Sequence, residues 1–252
     1  MRWQRLLLLR VTLPIMLVAA AVCPCPPLLV PEVALGAAPE LDAARAACAD
    51  ALGALAAARP GRLVVVGPVD GAGPEAYPEG TAGSFRGFGV DLDVRLGAAV
   101  GPDTEQRLPY ALAVAAWLLE RTGWSDAPVE GLGVGESYPP GLCARTGREI
   151  AARDERVALL VMGDASACRT LKAPGYLDER AAPFDAEVAR ALGAADVAAL
   201  STLDTGLAYE LKVSGRAPWQ VLAGAADGAD LGGSLLYEDA PYGVGYVVAA
   251  WS

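Results

Sequence analysis

The sequence predicts a single α/β domain whose largely buried, mixed or parallel sheet carries helices on both faces. Three short runs, residues 17–22, 63–66 and 157–162, are apolar throughout, as strands covered on both faces must be. Segments with helical spacing separate them, so strands and helices alternate. The 252 residues suffice for one large core.

The run 17–22 reads as the first buried strand, closed by the proline-fixed loop Cys23-Pro24-Cys25-Pro26-Pro27. Residues 41–59 read as a helix, because Leu41, Ala44, Cys48, Ala51, Leu52 and Leu55 share one face. Pro60-Gly61 stops it, and 63–66 is the second strand. Residues 67–89, rich in glycine and proline, read as turns. The alternation Val90, Leu92, Val94, Leu96 predicts a half-buried strand over 90–96. Residues 108–122 read as a helix that tolerates Pro109 in its first turn, and 146–153 as another. The run 157–162 is the third apolar strand, followed by a loop to residue 183. Helices follow at 184–192, 197–203, 205–213 and 219–226. Strands 235–237 and 244–249 close the chain around a loop at 238–243. No internal repeat and no low-complexity linker interrupts it.

Residues 1–15 combine basic residues with leucines, like a secretion signal, but Arg10 and Pro14 break the run. No small-x-small cleavage site precedes Cys23, and no stretch of about 20 apolar residues offers a membrane span. The expectation is an N-terminal extension, 1–15, ahead of a domain at 16–252 in the cytoplasm. Export is the alternative if residues 1–22 act as a signal.

Composition removes several function classes. The net charge of −10 and pI near 4.6 repel nucleic acid and anionic membranes, so neither is expected as a partner. Hydrophobic residues make up 54% and mean hydropathy is +0.33, largely through alanine. Histidine is absent, which excludes serine–histidine triads and histidine-built metal sites. Chemistry here must use carboxylate, thiol, hydroxyl, guanidinium or backbone groups. The five cysteines, Cys23, Cys25, Cys48, Cys143 and Cys168, are scattered and odd in number, unlike a disulfide framework. Cys23-x-Cys25 is too close for a zinc knuckle, and Gly243-x-Gly245 lacks the rest of a dinucleotide motif.

Ligands of open α/β sheets gather at the carboxyl ends of strands. The segments expected there are 23–27, 67–70 and 163–169, with the loop at Glu238 as a further neighbour. Three stretches, 21–33, 163–185 (GDASACRTLKAPGYLDERAAPFD) and 237–248 (YEDAPYGVGYVV), resemble the catalytic chains of the class III extradiol ring-cleavage dioxygenases. The similarity runs in order from Met16 to the C-terminus and is nearest the Memo-related branch. It implies an α/β fold, a ferrous ion at the sheet edge, and a small catechol-type aromatic substrate opened with dioxygen.

Carried over residue by residue, the resemblance puts Cys25 where the family has an iron-binding histidine. Val69 or Asp70 takes the place of a second histidine ligand. Ala167 follows Gly163-Asp164-Ala165-Ser166 where a catalytic histidine usually stands. Glu238 is the acidic ligand position that survives. The candidate metal ligands are therefore Cys25, Glu238 and Asp70, for Fe(II), with a buried thiol and a plain Asp-Gly turn as the alternatives. Asp164, at the end of an apolar strand, is the candidate catalytic carboxylate, with capping as its structural alternative. Arg169 offers a guanidinium for a carboxylate-bearing ligand. With the customary histidines replaced, the expectation is weak or no ring-opening activity. A binding or scaffold descendant of the fold, or a relative with an atypical Cys/Glu metal site, is the alternative.

Overall fold

The computed structural model describes residues 17–99, 105–153 and 156–252. The extension expected at 1–15 lies outside the described residues. Strand β1 (Leu17–Cys23) leads through two short 3₁₀ turns and the one-turn helix α1 (Pro31–Ala34) into α2 (Asp42–Ala57). Next come β2 (Arg62–Val69), β3 (Pro74–Tyr77), β4 (Ala82–Ser84), β5 (Asp93–Arg95) and α3 (Tyr110–Thr122). Then follow β6 (Val129–Gly135), α4 (Pro140–Ala151), β7 (Val157–Met162), α5 (Ala181–Gly193), α6 (Val197–Ser201) and α7 (Thr205–Glu210). Helix α8 (Arg216–Ala225) and strands β8 (Gly233–Asp239) and β9 (Tyr246–Trp251) complete the chain.

Seven strands form one sheet in the order β3-β6-β2-β7-β1-β9-β8, and β4 and β5 form a separate pair. The central strands β6, β2, β7 and β1 are parallel, while β3, β9 and β8 run against their neighbours. Alternate residues of β1 and β7 serve two cores. Ala19, Ala21, Cys23, Leu160 and Met162 face α2 and α3. Ala20, Val22, Leu159 and Val161 face α4, α5 and α8. Burial on both faces is why these strands carry no polar residue. Among the described residues no helix is long and apolar enough to cross a membrane.

Helix α3 ends in a left-handed Gly123 with φ 67°, and the Trp124 N–H reaches back to the Leu119 carbonyl at 2.9 Å. That closure satisfies carbonyls which the helix itself leaves open. Several boundaries differ from expectation. Strand β6 falls between the helices expected at 108–122 and 146–153, where no element is expected, because three glycines dilute its β-forming residues. Helix α4 starts six residues early, since Pro140 occupies a first-turn position that needs no N–H. The 90–96 strand shrinks to β5, which among the described residues pairs only with β4. Glu238 sits inside β8, opposite Val247, and not in a loop.

Candidate functional site

Register places the carboxyl ends of four parallel strands side by side: Cys23 pairs with Met162, Val66 with Val161, and Val69 with Gly135. Antiparallel β9 begins at Tyr246 on this same edge. The chain leaves β7 through Gly163, whose Cα lies so close to Gly215 that a side chain would not fit. Asp164 follows. Its N–H donates to Ser214 Oγ at 2.9 Å, its carbonyl accepts from the Gly215 N–H at 3.0 Å, and its Oδ1 accepts from the Cys25 N–H at 2.8 Å. One residue thus ties the end of β7 to the loop after β1 through its carboxylate and to the turn before α8 through its backbone.

Burial raises the Asp164 carboxyl to about 7, with the Cys25 N–H opposing. Cys25 is fully buried, and burial, then the Asp164 charge, pushes its thiol well above the ordinary range. The hydroxyls of Ser214 and Tyr110 face that sulfur and act the other way. Tyr110, the first residue of α3, is raised by burial and by Cys25, Asp164, Glu136 and Asp70 in that order. Tyr246 is raised by burial and then by Asp164. The thiol and phenols therefore hold their protons at neutral pH, and the carboxyl shares its proton there. Cys23 packs against the Cys48 sulfur, and that contact raises its thiol. A protonated thiol is neither a good nucleophile nor a good metal ligand.

The remaining candidates lie apart from this cluster. Asp70 is exposed in the turn after β2 and reaches the cluster only through its effect on Tyr110. Val69 is buried beside Gly133. Glu238 is exposed on the edge strand β8. Its cross-strand partner Val247 belongs to the core under α5 and α8, whereas Cys25 and Tyr246 belong to the opposite core. Directly paired residues share a sheet face, so Glu238 and Cys25 point to opposite sides. A ferrous centre needs donors converging on one point with positions left open. Cys25, Asp70 and Glu238 do not converge, and the residues present do not fit that ion.

Arg169 donates to Asp185 Oδ2 at 3.1 Å, so its guanidinium already has a carboxylate. Asp185 also accepts from the Ser166 N–H and hydroxyl, both at 2.8 Å. The Ala165 N–H meets the Gly245 carbonyl, and the Gly245 N–H meets the Ser166 carbonyl, each at 2.8 Å. These bonds fasten the β7–α5 loop to the β8–β9 turn. Tyr110, Ser214, Tyr246 and Asp185 escaped sequence reasoning; the usable signals were a tyrosine directly after Pro109 and the Ser214-Gly215 turn. A pocket of about 480 Å³, lined by Glu136, Tyr209, Glu210 and Lys212, shares Glu136 with the surroundings of Tyr110.

No family model matches the chain, and no curated protein matches it. Among solved structures it is similar to an uncharacterized protein from Escherichia coli K12. The two are 16% identical with a TM-score of 0.58, over 93% of this chain and 99% of that one. At that identity the likeness shows a shared α/β fold.

Proposed function

We propose that the chain is a divergent relative of the catalytic chains of class III extradiol dioxygenases, with little or no iron-dependent ring opening, retained as a binding or scaffold module. One observation carries the reading: Cys25, at the position where the resembling family has an iron-binding histidine, is a buried thiol held in its neutral form by its surroundings. Asp164 beside it commits Oδ1 to the Cys25 N–H, and Glu238 stands on the other face of the sheet. A small aromatic ligand and a cytoplasmic location belong to the same reading.

The test is reconstitution of the purified protein with Fe(II), followed by metal analysis and oxygen uptake with catechol and protocatechuate. Substoichiometric iron and no turnover are expected. One tightly held iron per chain with turnover would overturn the reading and favour the rival, a metal held by Cys25 and Glu238. Cys25→His is expected to leave iron affinity unchanged, because one imidazole cannot bring the other donors together.

A further inference from the structure

Arg216 lies in the first turn of the ten-residue helix α8 and is 5% exposed. Its guanidinium donates to the carbonyls of Tyr138, at 2.8 Å, and Glu136, and to Gln220 Oε1 at 3.0 Å. It also meets the Cys143 sulfur at 4.0 Å. All four partners are neutral, and among the described residues no carboxylate lies within ion-pair distance. The Glu136 charge acts on the guanidinium, but from an exposed side chain beyond ion-pair distance. A guanidinium stays charged, and a buried charge without an opposite one in contact is strongly disfavoured.

The same turn has other donors without partners. Gln220 is 1% exposed and gives its Oε1 to Arg216, which leaves its Nε2 buried with no acceptor. Trp219 is fully buried, its ring lies over Gly215 just ahead of the helix, and its Nε1 also lacks a partner. Within the first turn the Arg216 and Ala217 N–H groups find no acceptor in the helix and add partial positive charge, whereas Pro218 has no N–H and Trp219 donates to the Gly215 carbonyl. This is an excess of buried donors and positive charge inside a protein of net charge −10.

We propose that the first turn of α8 binds a small anion, an oxyanion or a halide, as the counter-ion of Arg216, with Gln220 Nε2 and Trp219 Nε1 as further donors. A pocket lies beside it, lined by Glu136, whose carbonyl Arg216 holds, and by Tyr209, Glu210 and the exposed Lys212. An anion reaching Arg216 from that side passes two carboxylates and one ammonium. Helix N-termini favour such ligands on dipole and N–H geometry alone, and a buried guanidinium adds the full charge.

Two measurements test this on the whole chain. Crystals grown in bromide are expected to show an anomalous peak within hydrogen-bond reach of Arg216 and Gln220. Thermal unfolding at constant ionic strength, with chloride, bromide or inorganic phosphate replacing a bulky sulfonate, is expected to shift the midpoint upward. At 100 times Kd the rise is roughly 5–10 °C. Arg216→Met and Gln220→Met should each remove most of that shift; if Arg216→Met fails to fold, Gln220→Met decides alone. Water without bromide in the density, or a midpoint indifferent to the anion, overturns the proposal. A shift that persists in the variants overturns it as well, because the anion then binds elsewhere.

Discussion

Asp164 serves as a hydrogen-bond acceptor in a place that disfavours its charge. Its folded pKa of about 7 lies above the unfolded value near 4. Below about pH 4 both states hold the proton and the stabilisation is fully present. Between 4 and 7 only the folded state holds it, so stability falls by up to about 1.4 kcal/mol per pH unit, and above 7 the contribution is gone. Asp164→Asn keeps an acceptor for the Cys25 N–H but does not titrate. Urea unfolding of both proteins at pH 5, 6, 7 and 8 should therefore show the wild-type advantage shrinking as pH rises; a constant difference would place the carboxyl at its ordinary pKa. Burial raises Asp185 as well, but there two hydrogen bonds from Ser166 and one from Arg169 oppose the shift. Asp185→Ala leaves the Ser166 N–H without its partner and should cost about 2–4 kcal/mol in the same denaturation experiment. Sequence alone marks Asp164, because a carboxylate at the end of an apolar strand is conspicuous. It cannot mark the groups gathered around it, since Tyr110 and Ser214 come from elements 54 residues before and 50 after.

At the scale of elements, the helices α4 and α8 cross where neither has room for a side chain. A Cβ on Gly147 would meet the backbone of Val221 and Ala225, and one on Gly224 the backbone of Ala144. Gly147→Ala should therefore destabilise by about 2–3 kcal/mol despite the better helix propensity of alanine. Gly53 in α2 has nothing within 4 Å of such a Cβ, and Gly53→Ala should stabilise by about 0.5–1 kcal/mol. Paired melts decide it: equal effects would mean that propensity, and not the crossing, governs both sites. The same physics explains which elements were legible. Strands β1 and β7 announce themselves because both faces are covered, and the α2 stripe follows from one covered face. Strand β6 stayed hidden because Gly131 and Gly133 sit against Tyr77 and Val69, an accommodation set by neighbours far along the chain. Glu238 kept its place in the resemblance, yet the pairing of β8 with β9 decides which way it faces, and that register follows from tertiary contact.

For the molecule as a whole, the sheet order joins the two ends of the described chain: β1 lies between β7 and the C-terminal β9. Strand β9 pairs Trp251 with Ala20, Ala250 with Ala21 and Ala249 with Val22, and among the described residues it is the only strand beside β8. Trp251 is fully buried and its indole N–H donates to the Leu192 carbonyl at 2.6 Å, which ties the last strand to α5. Removing residues 246–252 would expose one side of β1, strand β8 and parts of both cores together. The Asp185 network would lose the turn that Gly245 anchors, and Asp164 would lose the tyrosine beside it. Because these contacts span most of the sequence, the remaining chain has no local substitute for them. The shortened protein is therefore expected to show no cooperative urea transition and to bind hydrophobic dye, whereas Trp251→Ala alone should lose about 3–5 kcal/mol and keep a single transition. A truncated chain that unfolds cooperatively would mean that the seven strands are not one unit, and that the sheet edge carrying Cys25, Asp164 and Tyr110 forms without its closing strand.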